Sequence, residues 1–301
     1  MDINISSNTL FHFTNDIKNL KNILDRGLYV RYSLENFDQT IGGKSEILIP
    51  MTCFCDIPLS QVKRHTETYG KFAIGLSKEW GVNNKISPVI YTYPKSNTAE
   101  ILNNINKDIG NYIDIENDAD IPSDSFLDTL SEFINSIDEK TKPKKEDENA
   151  EISQNFIKIS SRLFHLHNSM NYLIQNIKPY QGKIYRNGEY SNNVKFYDER
   201  EWRFLLPRNF FEEHDLKAHY NKKFYTNPVK RRYINIQIAK HFKLEFHPKD
   251  IKFIIIDNEK KIPDMLKYLE EIFGDREGVT QNDIKLLGTR LISIQHIIEN
   301  F

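Results

Sequence analysis

Apolar residues recur along this chain with two different periods, and its elements are marked where the period changes. In "LFHFTNDIKNLKNILDRGL" a short aromatic strand, Leu10 to Thr14, gives way to Ile17, Leu20, Ile23 and Leu24 at helical spacing. Asn15 or Asp16 is placed to cap that helix by accepting hydrogen bonds from its first free amides. Gly27 suits the position just past its end. "EILIPMTCFCDIPL" reads as a second strand region, with Met51, Cys53 and Cys55 alternating with Thr52 and Phe54. Pro58 has no N–H for a sheet ladder and ends it. "SQVKRHTETYG" predicts a short helix closed by Gly70, "KFAIGLS" a strand, "KEWG" a turn and "SPVIYTY" another strand. "EISQNFIKISSRLFHLHNSMNYLIQNI" is the longest helical pattern. "KDIKFIIID" reads as a buried strand, and "LISIQHII" fits either element.

The periodicity dissolves between residues 96 and 150, where "IENDADIPSDS" is acidic and "DEKTKPKKEDENAE" is almost all charge. Between them "FLDTLSEFINSI" is amphipathic. This segment reads as a charged, partly mobile helical insertion with too little apolar surface to fold alone. The expected class is α+β: a mixed or antiparallel sheet core with flanking helices, as one domain over 1–301. Residues 259–301 form a mostly helical C-terminal extension of it.

Charge changes this picture little. Lys and Arg number 41 and Asp and Glu 42, a formal net charge of -1, so no global positive field gathers phosphates. The two cysteines, Cys53 and Cys55, stand too close for an ordinary disulfide. The N-terminus lacks a basic region followed by an apolar run, and no apolar segment is long enough for a bilayer. The expectation is a cytoplasmic protein without membrane contact.

Most catalytic motifs fail on inspection. Cys53 and Cys55 lack the second ligand pair of a zinc site, and His165 and His167 point apart on a helix, so no metal is expected. Gly42-Gly43-Lys44-Ser45 ends like a phosphate loop, but the earlier glycine that the loop requires falls at Asn36. No GxSxG elbow exists. "NPVKRRY" presents Lys230, Arg231 and Arg232 beside an aromatic, which suits nucleic-acid contact, although a solvated loop before a strand is the simpler reading.

His12 and the acids of "KFYDEREWRFLLP" remain. If the latter stretch is extended, Glu199 and Glu201 share one face and Arg200 and Trp202 the other. That alternation describes a salt-bridge ladder as well as it describes a catalytic carboxylate at a strand mouth.

The order of segments adds a likeness. "LFHFTNDIKNLKNILDRGLY", "IPMTCFCDIPLSQVKRHTETYGKFAIGLSKEWG", "SPVIYTY", "KPYQG", "FYDEREWRFLLP", "FHPKDIKFIII" and "LISIQHIIENF" together resemble the AbiGi family of abortive phage-resistance proteins. The resemblance implies the antitoxin half of a two-component system, with a cognate toxin partner that resembles a nucleotidyltransferase. The opening segment is also distantly similar to DarT-type ADP-ribosyltransferases. That likeness implies an ADP-ribosyltransferase-like fold and NAD as substrate, with ADP-ribose passed to a nucleic-acid or protein acceptor. Glu201 would stabilise the oxocarbenium-like charge and Glu199 would deprotonate the acceptor. His12 and Thr14 would hold NAD, and Tyr69 or its rival Tyr93 would pack on nicotinamide. The chain departs from the DarT pattern at Asp56-Ile57-Pro58, where that family places an arginine.

Overall fold

The computed structural model of the protein describes residues 7–37, 46–104, 169–170, 172–186 and 189–300. Gly42 to Ser45, His165 and His167, most of the 96–150 insertion and most of the longest helical pattern lie outside the described residues. The class is α+β, with a mixed sheet flanked by helices.

Thirteen strands are described: β1 (Thr9–Thr14), β2 (Arg31–Asn36), β3 (Glu46–Cys55), β4 (Phe72–Ser77), β5 (Ser87–Pro88), β6 (Ile90–Thr92), β7 (Ile177–Pro179), β8 (Gly182–Arg186), β9 (Glu189–Val194), β10 (Glu201–Leu205), β11 (Tyr220–Asn221), β12 (Ile251–Ile256) and β13 (Leu291–Ser293). Nine of them form one sheet in the order β13-β12-β4-β1-β3-β10-β5, with β2 and β11 also paired to β3. All its pairs are antiparallel except β12 with β13. The long β3 joins its two halves. Phe11 and Glu201 flank Cys55 on opposite edges of β3, and Arg31 and Leu205 flank Met51 in the same way. β1 and β2 therefore share one edge of β3, and β10 lies along the other.

Both faces of this sheet are covered, which is why its central strands read as near-continuous apolar runs. On one face Leu10, Ile74, Leu76, Phe54 and Ile254 pack with Leu20 and Leu24 of α1 (Ile17–Arg26) and with the Ile262–Phe273 helix. On the other, Phe11, Ala73 and Ile255 meet Val62 of α2 (Val62–Tyr69) and the Ile294–Asn300 helix. Farther along that second face, Ile49, Met51 and Leu205 pack under Ile174 and Ile177. Asp16 caps α1 through Lys18 N at 2.9 Å. Gly27, at φ 89, closes it where any Cβ would stand 2.6 Å from the Leu244 carbonyl oxygen.

Four sequence expectations change. "KEWG" lies in helix α3 (Lys78–Asn83), because Ser77 caps it through Trp80 N at 3.2 Å. "SPVIYTY" splits into β5 and β6, which join different sheets. "NPVKRRY" opens the Pro228–His241 helix, with Asn227 as cap and Pro228 in the first turn. Residues 97–104, at the start of the expected insertion, are helical and bury Ala99 and Leu102. The C-terminal segment is mostly helical, yet β13 extends the main sheet and "LISIQHII" is strand and then helix.

Candidate functional site

The site is built around the start of β10. Phe196–Glu199 forms a 3-10 turn, Arg200 is left-handed at φ 45, and the strand begins at Glu201. The expected extended Glu199-Arg200-Glu201 run is thus corrected: the left-handed residue reverses the chain, and the two carboxylates converge through a kink instead of through alternation.

They converge on Lys178 of β7. Its Nζ donates to Glu199 Oε2 at 2.8 Å and to Glu201 Oε2. Arg203 Nε donates to Glu201 Oε1 at 2.5 Å, and Tyr69 Oη donates to Glu199 Oε1. Arg203 also donates to the Gln175 carbonyl at 2.7 Å and to Glu35 Oε2 at 2.8 Å. Glu201 N donates to Tyr91 Oη at 2.8 Å. Glu199, Lys178, Glu201 and Arg203 are buried, with Arg203 only 1% exposed. The result is a closed chain, Glu199–Lys178–Glu201–Arg203–Glu35, spanning β2, β7, β10 and the turn before β10.

Its electrostatics follow from burial and partners together. Burial alone would raise the Glu201 carboxyl, but Arg203 and Lys178 overcome it and hold the group well below the usual carboxylate range. Burial likewise opposes charge on Lys178, and Glu199 and Glu201 lift it well above the ordinary lysine value. Burial, reinforced by Glu201, drives the Cys53 thiol up, which disfavours its thiolate.

One prediction follows for acid. Unfolded, Glu201 titrates near its ordinary 4.5. Folded, it titrates well below that, so its contribution is present above pH 4.5 and lost as pH falls from there. Urea unfolding from pH 7 down to about pH 2.5 should show wild type losing more stability than Glu201→Gln. Parallel losses in the two proteins would mean that Glu201 is not held ionised by the network.

The candidates do not assemble into one cleft. Phe11, Cys55 and Glu201 are register partners and face the same side of the sheet, as do Arg203 and Cys53. His12, one residue on from Phe11, faces the opposite side, where its ring lies 5.7 Å from Phe54. Thr14 shares that side with His12, at half-buried exposure. Strand alternation thus turns His12 and Glu201 to opposite faces of the sheet. His12 Nδ1 lies 2.8 Å from the Cys53 carbonyl, which can only accept, so Nδ1 carries the proton. Burial lowers the His12 pKa, which favours the neutral ring.

Tyr69 is on the Glu201 side, bonded to Glu199, whereas Tyr93 is 56% exposed and packs on Tyr180. Lys230, Arg231 and Arg232 sit in the first turns of the Pro228–His241 helix, where cations oppose the helix dipole. Lys230 lies over Phe224 and Arg231 over Tyr225. Among the described residues no three His, Cys, Asp or Glu side chains are grouped to hold a metal ion. None of the described helices is long and apolar enough to cross a membrane.

A cavity of about 590 Å³ opens beside α2, lined by Arg64, His65, Tyr197 and Arg200 among others. A second, of about 50 Å³, touches Lys178 and Glu35. Glu201 and His12 line neither of these two.

Sequence reasoning missed Lys178, Arg203 and Glu35. Arg203 was within reach: it continues the Glu201 face at period two in "EWRFL". Lys178 and Glu35 lie on distant strands and had no local signal.

The family described as "Putative abortive phage resistance protein AbiGi, antitoxin" matches residues 26–257. The curated "Abortive phage resistance protein AbiGi" of Lactococcus lactis subsp. cremoris is 30% identical over 250 residues, which is 76% of this chain and 81% of that protein. No solved structure matches. The family match contains Glu35, Lys178, Glu199, Glu201 and Arg203, whereas His12 precedes it.

Proposed function

The chain belongs to the AbiGi family of abortive phage-resistance proteins, and from that premise we propose that it acts as an antitoxin, a binding component that engages and restrains a toxin protein. The observation that carries this reading is the closed network. Each side-chain oxygen of Glu199 and Glu201 already accepts from Lys178, Arg203 or Tyr69 inside the protein. Carboxylates so engaged hold β7 to β10 and offer no free oxygen to a substrate.

The surface suits a protein partner. On the Pro228–His241 helix, Ile234 and Ile238 face the core. Val229, Tyr233 and Ile236 form an outward stripe, 78%, 63% and 43% exposed. Arg232 and Lys240 are exposed along the same helix. An apolar stripe with an aromatic centre and basic flanks fits a partner that presents an apolar groove with an acidic rim.

ADP-ribosyl transfer from NAD through Glu201, on an ADP-ribosyltransferase-like fold, is the other reading. It requires Lys178 and Arg203 to release Glu201, and it requires His12 to act from the far side of the sheet. One experiment separates the two. The chain is expressed alone and with the toxin of its own locus, and purified protein is incubated with labelled NAD and cell extract. The antitoxin reading expects normal growth alone, restored growth with the toxin, and no transferred label. Growth arrest by the chain alone, together with label transfer, would establish the transferase instead.

A further inference from the structure

The cavity beside α2 has a chemistry that the antitoxin reading leaves unused. Lys63, Arg64 and Arg200 line it. Two carboxylates, Glu67 and Asp198, line it as well, but Asp198 is already met by Arg64 at 2.6 Å and Lys195 at 3.2 Å. The lining therefore carries three cations against two acids, a net positive charge.

Tyr197 stands on the same wall, 48% exposed. Its ring stacks on Tyr180 at 5.0 Å and 22°, and Tyr180 in turn packs at 5.6 Å against the exposed Tyr93. Tyr91 braces Tyr197 edge-on at 5.3 Å. Tyr197 is thereby held as a supported aromatic surface at the rim of a cationic hollow. The hollow, about 590 Å³, is of the size that small ligands fill.

We propose that this cavity binds a nucleoside phosphate, its base stacked on Tyr197 and its phosphate against Lys63, Arg64 and Arg200. Stacking tolerates any base, and the guanidinium groups match phosphate oxygens. The same chemistry is presented by a free nucleotide and by an unpaired nucleotide of a single strand. The site is distinct from the Pro228–His241 helix, so the proposal stands or falls independently of the toxin partner.

The test uses the full chain and fluorescence polarisation, with a labelled single-stranded RNA of ten nucleotides and a labelled ADP as separate probes. Wild type should bind at least one probe, with affinity falling as salt rises. Arg64→Glu and Tyr197→Ala should each weaken binding about tenfold or more. The Arg64 side chain is 67% exposed, so its substitution keeps the fold even where Tyr197→Ala does not. Tight binding of RNA with only weak binding of ADP identifies a single-strand site, and equal binding identifies a nucleotide site. Absence of binding to both probes at millimolar concentration overturns the proposal. So does binding that Lys230→Glu abolishes and Arg64→Glu leaves unchanged.

Discussion

Replacing Lys178 with methionine should destabilise the protein by about 3–5 kcal/mol, the usual effect of removing one partner from a buried ion pair. Methionine keeps the bulk and drops the charge. Glu199 and Glu201 would then face each other with an unpaired oxygen apiece, in a place that is nearly shut off from water. Lys178 and Glu199 have side chains only 9% exposed and Glu201 5%, so solvent screening offers little relief. Against a typical stability of about 5–15 kcal/mol, that loss is a large fraction of the total. Urea unfolding is the measurement, and the midpoint should fall with the slope unchanged. Glu199→Gln added to Lys178→Met should recover part of the loss, because one of the two opposed charges is gone. A cost below about 1 kcal/mol for Lys178→Met would show a solvated pair and would remove the basis for calling the network closed.

The second large effect is expected at the exposed helix stripe. Tyr233→Glu combined with Ile236→Glu should abolish restraint of the toxin while changing stability by no more than about 0.5 kcal/mol per site. Both side chains point to solvent, and Asn227 still caps the helix through Val229 N and Lys230 N at 3.1 and 3.0 Å. A buried carboxylate facing an acidic partner rim would lose an apolar anchor and add repulsion. Pull-down of the toxin and growth on co-expression are the two readouts. If both persist in the double variant, the stripe is not where the toxin docks. If Arg64→Glu abolishes them instead, the partner sits on the α2 side.

Local pattern carried far here. The strand–helix opening, its Asp16 cap and Gly27 stop, the β4 strand after Gly70 and the β12 run are all set by neighbours in sequence. Periodicity and capping act within a few residues, so one chain suffices to read them. Misreadings fell where a local signal was weak or shared. "KEWG" is short enough to pass for a turn until Ser77 caps it, and "NPVKRRY" is charged enough to pass for a loop until Asn227 and Pro228 start a helix.

By itself the sequence determined the strand–helix opening, the β4 and β12 strands, the α+β class, the family likeness and the concentration of charge at the mouth of β10. Only the tertiary structure decided what that charge does. The pairing of β1, β3 and β10 turns His12 and Glu201 to opposite faces, because side chains alternate and register links Phe11, Cys55 and Glu201. The left-handed Arg200 brings Glu199 round to the same lysine as Glu201, and that lysine comes from a strand more than twenty residues away. A buried ion network is a long-range object: each member looks like an ordinary surface charge in sequence, and only folding brings together the opposite charges that make its burial tolerable.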